Sequence, residues 1–418
     1  MSVVPGHRRR SGVLFAATTG SALSTTATVH AVFGTFLVPL SETFDWSRSS
    51  ISVVMAIIAI TSAITYPFAG RYSDEHGSRR MILFGTIALG LSIAALALTS
   101  GSLIQFYCTF LAIGIFGSLP ATPMFAKLVA EWFRENRGFA MGFSSGLGNG
   151  LGAVIMPIVA AVLVTSEGWR AGYIGIATII LLIGFPIFYI FLHDVAPSES
   201  HKPAQGECHE TDGMTLAEGV ATPSFWLLIL AIAAGGGIST AILSHVVPIV
   251  GDRGYSLATG TAVVSVFALV ASAWQITSGT LLDRTTTPRI VAPMYAMAIP
   301  GMLLLEFGGS TTFLIVGGIA MGIALGAQFG SLPFFIARYF GLRHFGAILG
   351  VMYSAVIAGQ GITPVLLDLA FDTFGSYRQA ILASTGVMTA GSLLLLLLPA
   401  YKAGKDAIAG ADLTAVAH

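Results

Sequence analysis

A small set of polar side chains interrupts the long apolar stretches of this chain, and these residues are suited to bind a solute or carry a proton. His30, His245 and Lys127 are the ionisable members. Imidazole changes its charge near physiological pH, which suits a histidine to proton transfer. The neutral and aromatic members can hydrogen-bond a solute or line a pocket, and they are Asn149, Gln275, Gln328, Gln360, Tyr66, Trp274 and Tyr353. Polar groups in apolar surroundings usually face a cavity, so we predict that this set forms a solute site.

Each ionisable residue also has a simpler interpretation. His30 lies near the middle of its apolar stretch beside Thr25 and Thr26, and it is either a cavity residue or a helix-packing histidine. His245 lies nearer the end of its stretch, where a histidine can simply meet water. Lys127 lies near the end of another stretch, where a long side chain can extend its ammonium to the interface. His30 is therefore the first candidate for proton coupling.

A second set of polar residues recurs at an interval of 209 residues. Gly70 is matched by Gly279, and Asp74 is matched by Asp283. Basic residues follow each copy: Arg79 and Arg80 after the first, and Arg284 after the second. Duplicated halves are a common way for transporters to build a central substrate site, so the repeat favours a duplicated membrane unit.

The residue types of the repeat suit a mechanical contact. A glycine such as Gly70 lets one helix approach another closely. The Asp74 carboxylate can accept hydrogen bonds from a helix N-terminus, or it can pair with Arg79, Arg80 or Arg134. The simpler alternative is that these charges only obey the topology rule for membrane proteins.

Composition indicates a membrane protein. The 418 residues are 55% hydrophobic and 10% charged, and their mean hydropathy is +0.82. Soluble domains carry about 25% charged residues, so lipid must be the solvent for most of this chain. About twelve apolar segments reach the ~20 residues that a spanning helix needs.

The pattern from Gly70 to Arg80 resembles the loop between helices two and three of the major facilitator superfamily, and Gly279 to Asp283 resembles its degenerate second copy. The resemblance implies an all-α membrane protein of twelve transmembrane helices in two pseudo-symmetric six-helix bundles. It also implies that the loop, with Gly70, Asp74 and their partners, locks the cytoplasmic ends of the bundles together. Glu75 departs from the basic residue usual in this loop.

The predicted organisation is a bundle at residues 1–192, a cytoplasmic linker at 193–222, a second bundle at 223–400 and a cytoplasmic tail at 401–418. Most Lys and Arg residues fall on one side when both termini are placed inside, so the positive-inside rule predicts cytoplasmic termini. The expected location is the bacterial inner membrane.

A narrower resemblance concerns the segment from Glu131 to Gly142 and the segment from Phe44 to Arg48. Both are similar to bacterial monocarboxylate porters and oxalate/formate carriers. Those carriers have a cation in the eighth helix to pair with a carboxylate, whereas here no Lys or Arg occurs from Phe267 until Arg284.

The resemblance and the residues together predict a secondary active transporter, not an enzyme. The expected cargo is a small monocarboxylate-like anion moved with a proton; the alternatives are a carrier or exporter of a neutral or amphipathic solute or drug and, remotely, a non-transporting receptor. The expected partners are the solute, a proton and the lipid bilayer, without nucleic acid, and the protein is expected to be a monomer. No cofactor is expected, and nothing indicates ATP-driven transport, because no phosphate-binding loop motif occurs in the sequence. No metal is expected either, because His193, His201, Cys208 and His209 fit no compact zinc spacing.

Overall fold

The computed structural model describes residues 5–133, 136–194, 213–285 and 287–399. Within these residues lie twelve helices long and apolar enough to cross a membrane, here labelled α1–α12, and no β-strand. The predicted all-α membrane fold is confirmed. Most of the predicted linker (195–212) and the predicted tail (401–418), including His201, Cys208 and His209, lie outside the described residues.

The first six spanning helices form the N-terminal bundle. α1 consists of Pro5–Ala22, the π-helical turn Thr26–His30 and Phe33–Phe44. The others are α2 (Arg48–His76), α3 (Ser78–Leu96), α4 (Leu103–Gly117 and Thr122–Trp132), α5 (Arg137–Glu167) and α6 (Trp169–Ile179, the π-helical Ile180–Gly184 and Phe185–Phe191).

The C-terminal bundle follows a short helix, Leu216–Val220, which lies in the predicted linker and begins with a capping box between Thr215 and Glu218. Its spanning helices are α7 (Pro223–Asp252), α8 (Leu257–Asp283), α9 (the 3₁₀ turn Pro288–Ile290, Val291–Ala296 and Ala298–Phe307), α10 (Thr311–Phe340), α11 (Phe345–Phe374) and α12 (Arg378–Leu396).

Hydroxyl side chains cap the N-termini of several of these helices. Each accepts a hydrogen bond from a backbone amide in the first turn, which satisfies a group that would otherwise lack an intrahelical partner. The residues that do so for α2, α4, α7, α8 and α10 are Ser47, Ser102, Thr222, Ser256 and Ser310. By contrast, α5 and α11 receive no side-chain cap from their own N-cap residues, Asn136 and His344.

The two bundles contact each other mainly along two helix pairs, α2 with α11 and α5 with α8. Glycines allow these pairs to touch through their backbones. A Cβ placed on Gly70 would lie 1.9 Å from the carbonyl oxygen of Gly346, and one placed on Gly279 would lie 2.1 Å from that of Gly138. A methyl group fits at neither position, so the glycines of the repeat set the distance between the bundles.

The bundles meet at one end and separate at the other. Near its start α5 is buried almost all round, from Gly138 to Gly148, but farther along only a stripe of Gly152, Met156 and Ala160 is buried. α11 shows the same change: residues 345–350 are buried, whereas most residues of 361–374 are exposed. We call the closed end, where α5 and α11 begin, the Asp side, and the other end the open side.

Candidate functional site

A cavity of about 530 Å³, partly open to solvent, lies between the two bundles. The N-terminal bundle contributes Ser24, Thr25, Thr26, Tyr66, Ala121, Thr122, Pro123, Ser145 and Asn149, and the C-terminal bundle contributes Gln275, Phe329, Tyr353, Ile357 and Gln360. Ten of these fourteen side chains carry a hydroxyl or an amide. Among the described residues, the lining contains no Asp, Glu, Lys, Arg or His. The wall is therefore polar but uncharged.

Two interrupted helices shape the wall from the N-terminal side. α1 loses regular α-helical geometry between Ala22 and the π-helical turn, and α4 is interrupted between Gly117 and Thr122. Pro120 lies in the second interruption, where its ring removes a backbone donor. Discontinuous helices within a membrane are tolerated where they line a cavity, and they place polar groups next to a solute.

The hydrogen-bonding capacity of this wall is only partly used. Thr122 donates to Asn149 Oδ1 at 3.2 Å, and Gln360 donates to Thr240 Oγ1 at 3.1 Å. Gln275 Oε1 and Ser24 Oγ are buried and have no hydrogen-bond partner among the described residues. Buried polar atoms are usually paired, so these two mark places where a bound molecule would supply the missing contact.

Two tyrosines separate the cavity from the Asp side. The ring centroids of Tyr66 on α2 and Tyr353 on α11 lie 6.2 Å apart at an interplanar angle of 58°, and both side chains are buried. Tyr66 precedes Asp74 by eight residues, or about 12 Å of helix. The cavity floor is therefore built jointly by both bundles.

The structure brings together five of the predicted site residues in this lining, namely Tyr66, Asn149, Gln275, Tyr353 and Gln360. It places the other five elsewhere. Gln328 is buried in the C-terminal bundle, where it donates to Ser239 Oγ at 3.2 Å. Trp274 is half-buried, and its indole N–H has no partner among the described residues.

The two predicted histidines differ in their surroundings. His30 ends the π-helical turn of α1, is exposed, and has its ring against the backbone of Thr25, which lines the cavity. His245 lies in the last part of α7, with Nε2 2.9 Å from Asp368 Oδ1 on α11 and its ring 5.7 Å from that of Tyr377. His30 is therefore adjacent to the cavity, while His245 is hydrogen-bonded to Asp368 within the C-terminal bundle.

The first repeat aspartate caps a helix of the opposite bundle. Asp74, at the end of α2, accepts hydrogen bonds from the amides of Gly346 at 2.9 Å and Ala347 at 2.8 Å. Both amides belong to the first turn of α11, which lacks a side-chain cap of its own. The carboxylate thus meets the positive end of a helix dipole across the bundle interface.

The second repeat aspartate does the same in the other direction. Asp283, at the end of α8, accepts from the amides of Gly138 and Phe139, both at 2.8 Å, in the first turn of α5. We call this contact, together with the Asp74 contact on α11, the crossed caps. Each bundle supplies one carboxylate and receives one, so the duplication seen in the sequence appears as a reciprocal pair of contacts.

Lys127 completes the Asp74 cap instead of reaching the cavity. Its Nζ lies 2.7 Å from Asp74 Oδ1 and 3.6 Å from Glu131 Oε1, and it donates to Ser73 Oγ at 2.8 Å. The lysine side chain is 2% exposed and that of Asp74 is 5% exposed. The sequence predicts that this lysine faces the cavity or extends to the interface, and neither position is observed. The reason is that the buried Asp74 carboxylate on α2 binds its ammonium.

The basic residues expected to pair with Asp74 lie elsewhere. Arg79 donates to the carbonyl oxygen of Tyr189 at 2.8 Å, with its guanidinium over that ring. Arg80 and Arg284 are exposed, and Arg134 lies outside the described residues. Of the two alternatives for Asp74, helix capping is observed and an ion pair with Arg79 is not.

Asp194 is a capping residue that sequence reasoning missed. Its Oδ1 accepts from the amides of Ser78 and Arg79, both at 3.0 Å, and so caps α3 within the N-terminal bundle. The sequence signal that could have indicated a helix start here is Gly77. In the structure its φ is 83°, and it separates α2 from α3 just before Ser78.

Comparison with known proteins identifies the family. Residues 14–308 match the sequence profile of the Major Facilitator Superfamily. The uncharacterized MFS-type transporter YhjX of Escherichia coli (strain K12) is 22% identical over 326 residues, covering 75% of this chain and 77% of that protein. The multidrug resistance protein MdtG of Dickeya zeae (strain Ech586) is 22% identical over 361 residues, covering 86% and 87%.

Solved structures show the same fold. FucP, crystallised in the outward conformation, superposes with a TM-score of 0.69 at 16% identity, covering 94% of this chain and 98% of that chain. The human organic anion transporter MFSD10 (TETRAN) gives 0.64 at 17% identity, covering 94% and 100%. The narrower resemblance to monocarboxylate and oxalate/formate carriers stays a prediction. With the profile spanning well over half of its length and twelve spanning helices around a central cavity, the chain belongs to the Major Facilitator Superfamily and is a multi-pass membrane transporter.

Proposed function

We propose that this protein is a secondary active transporter that moves a small organic solute by alternating access. The observation that carries the proposal is the pair of crossed caps on the Asp side, combined with a partly open cavity and with the exposure of α5 and α11 toward the other end. A seal at one end and an opening at the other is what one half of a transport cycle requires. Breaking both caps and closing the open side would produce the other half.

The crossed caps are suited to reversible closure. Each joins a carboxylate to two backbone amides, so the contact is strong when made and leaves groups that water can solvate when broken. The glycines at Gly70 and Gly279 let the bundles return to the same distance. The seal therefore combines these directional contacts with the close packing of α2 on α11 and of α5 on α8.

We propose that the Asp side is cytoplasmic, as the distribution of Lys and Arg in the sequence predicts. Both termini would then lie in the cytoplasm of a bacterium, in whose inner membrane the protein resides. The described conformation would be outward-open, which agrees with its similarity to FucP in the outward conformation.

The lining of the cavity supports the two candidate cargoes, a monocarboxylate and a neutral solute, unequally. A monocarboxylate moved with a proton is the first expectation from sequence, but the described lining offers no lysine or arginine to bind a carboxylate. Of the residues that the structure describes, a protonated His30 would be a cation near the lining that could serve, since its ring lies against the backbone of Thr25. The uncharged wall favours the second expectation, a neutral solute.

The test is transport by purified protein in liposomes. Two panels of labelled solutes, small carboxylates and uncharged polar compounds, are offered with and without a pH gradient. We expect at least one labelled solute to enter the liposomes. We also expect unlabelled solute loaded inside to accelerate that entry, because an alternating-access carrier reorients toward the outside faster when its site is occupied. Uptake that saturates without such acceleration, or no uptake from either panel by correctly folded protein, would contradict alternating access.

A further inference from the structure

We propose that the cavity selects an uncharged solute that carries several hydroxyl or primary amide groups, such as a polyol. This inference rests on the proposed transport function and names the class of its cargo. It is carried by the unsatisfied polar atoms and the absence of charge in the described lining.

The first step concerns Gln275. Its side chain is 7% exposed, and its carbonyl oxygen is buried without a hydrogen-bond partner among the described residues. An amide presents both a donor and an acceptor, so it is satisfied by a group that can do both. A hydroxyl or another amide meets this condition, whereas a carboxylate only accepts and leaves the carbonyl of Gln275 unpaired.

The second step concerns the opposite wall. Ser24 lies across the cavity in the interrupted part of α1 and is 2% exposed, and its hydroxyl has no hydrogen-bond partner in the part of the chain that the structure describes. The Thr122 hydroxyl already occupies Asn149 Oδ1, which leaves the Asn149 amide hydrogens available. Unpaired hydrogen-bonding groups therefore face the cavity from both bundles, and a solute with several hydroxyls can bridge them.

The third step concerns charge. Moving an ion from water into a low-dielectric site is costly unless a counter-ion is present. Lys127 is held by Asp74 and Glu131 on the Asp side, so its charge is already paired. With the neighbouring His30 neutral, a carboxylate or an ammonium would meet only neutral dipoles in the described lining. The aromatic floor of Tyr66 and Tyr353 would instead pack against the carbon skeleton of a neutral solute.

The experiment measures binding to the purified full-length protein in detergent, by calorimetry and thermal shift, with four matched probes. They are a hexitol, the corresponding hexonate, the corresponding hexonamide and the fully O-methylated hexitol, which keeps acceptors but has no donors. We expect the hexitol and the hexonamide to bind, and the hexonate and the methylated hexitol to bind at least tenfold more weakly.

Two substitutions on α8 locate the effect. Gln275→Met should weaken hexitol binding about tenfold, and Gln275→Lys should reverse the preference in favour of the hexonate. Thr277→Val is the matched control, because Thr277 is exposed on the same helix and its hydroxyl bonds to the carbonyl of Ala273. If the Gln275 variants fail to fold, Gln360→Met on α11 tests the same wall.

The outcomes separate the two proposals. Tighter binding of the hexonate than of the hexitol, or no binding of any uncharged probe, would overturn the solute class and leave transport to the liposome test. Hexitol binding that needs Gln275, in a protein that carries no solute across liposomes, would support the solute class and contradict the proposed transport function.

Discussion

Replacing Asp74 by Asn tests the crossed caps directly. Asparagine keeps one oxygen near the amides of Gly346 and Ala347 but removes the charge, and it leaves the buried Lys127 ammonium with Glu131 as its remaining carboxylate. Hydrogen bonds to charged groups contribute about 1.5–3 kcal/mol. The loss falls on the state closed at the Asp side, because only that state makes the contact. It shifts the balance between the two states by about ten- to 150-fold.

The assay reads this shift from the accessibility of a cavity residue. A single cysteine at Thr26, an exposed lining position, is introduced after Cys108 and Cys208 are changed to serine. A membrane-impermeant maleimide is then applied to either face of oriented vesicles. In Asp74→Asn we expect faster labelling from the Asp side, slower labelling from the open side, and reduced transport at normal expression.

Two further aspartates provide matched comparisons. Asp283→Asn breaks the second of the crossed caps and should shift labelling in the same direction. Asp194→Asn removes the same kind of cap from α3, but within one bundle, so it should leave the labelling ratio unchanged. Equal effects of Asp74→Asn and Asp194→Asn, or normal transport by Asp74→Asn, would refute the reasoning.

Three other outcomes follow from the same contacts. His30→Gln should abolish accumulation driven by a pH gradient while leaving solute exchange intact, and a mutant that still concentrates solute under that gradient would remove His30 from the coupling site. Lys127→Met should lower the melting temperature, because breaking a buried ion pair costs about 3–5 kcal/mol. The double variant Asp74→Asn/Lys127→Met should lose less stability than the sum of the losses in the two single variants. Strictly additive losses would mean that the two side chains do not interact. Gly70→Ala should slow transport, because its methyl group would lie 1.9 Å from the Gly346 carbonyl oxygen, and wild-type rates with unchanged Asp-side closure would contradict that close approach.

The parts of this architecture that repeat in the sequence were predictable from it. Gly70 and Asp74 recur as Gly279 and Asp283, and apolar spacing marks the helices that carry them. Periodicity along the chain also shows that a residue such as Gln275 is polar within an apolar helix. Burial in lipid then restricts its direction to the bundle interior, which is why five predicted residues meet in one cavity.

Contacts set by helix packing were not predictable in the same way. Lys127 reaches Asp74 across 53 residues, and no local spacing rule relates a position on α4 to one on α2. Asp194 follows the last turn of α6 and caps α3 for an equally non-local reason. The π-helical turn Thr26–His30 contains no proline or glycine, so the usual sequence signals do not predict the interruption of α1.

The crossed caps also have a consequence for how the chain is made. Asp74 and the amide of Gly346 are 272 residues apart, and at about 5–20 residues per second the ribosome needs roughly 15–55 s to connect them. During that interval the first half of the chain is already in the bilayer, with the start of α5 awaiting Asp283. Lys127 follows Asp74 by 53 residues, so it is made long before Gly346. We therefore expect the ion pair to neutralise the Asp74 carboxylate while the second half of the chain is still being made.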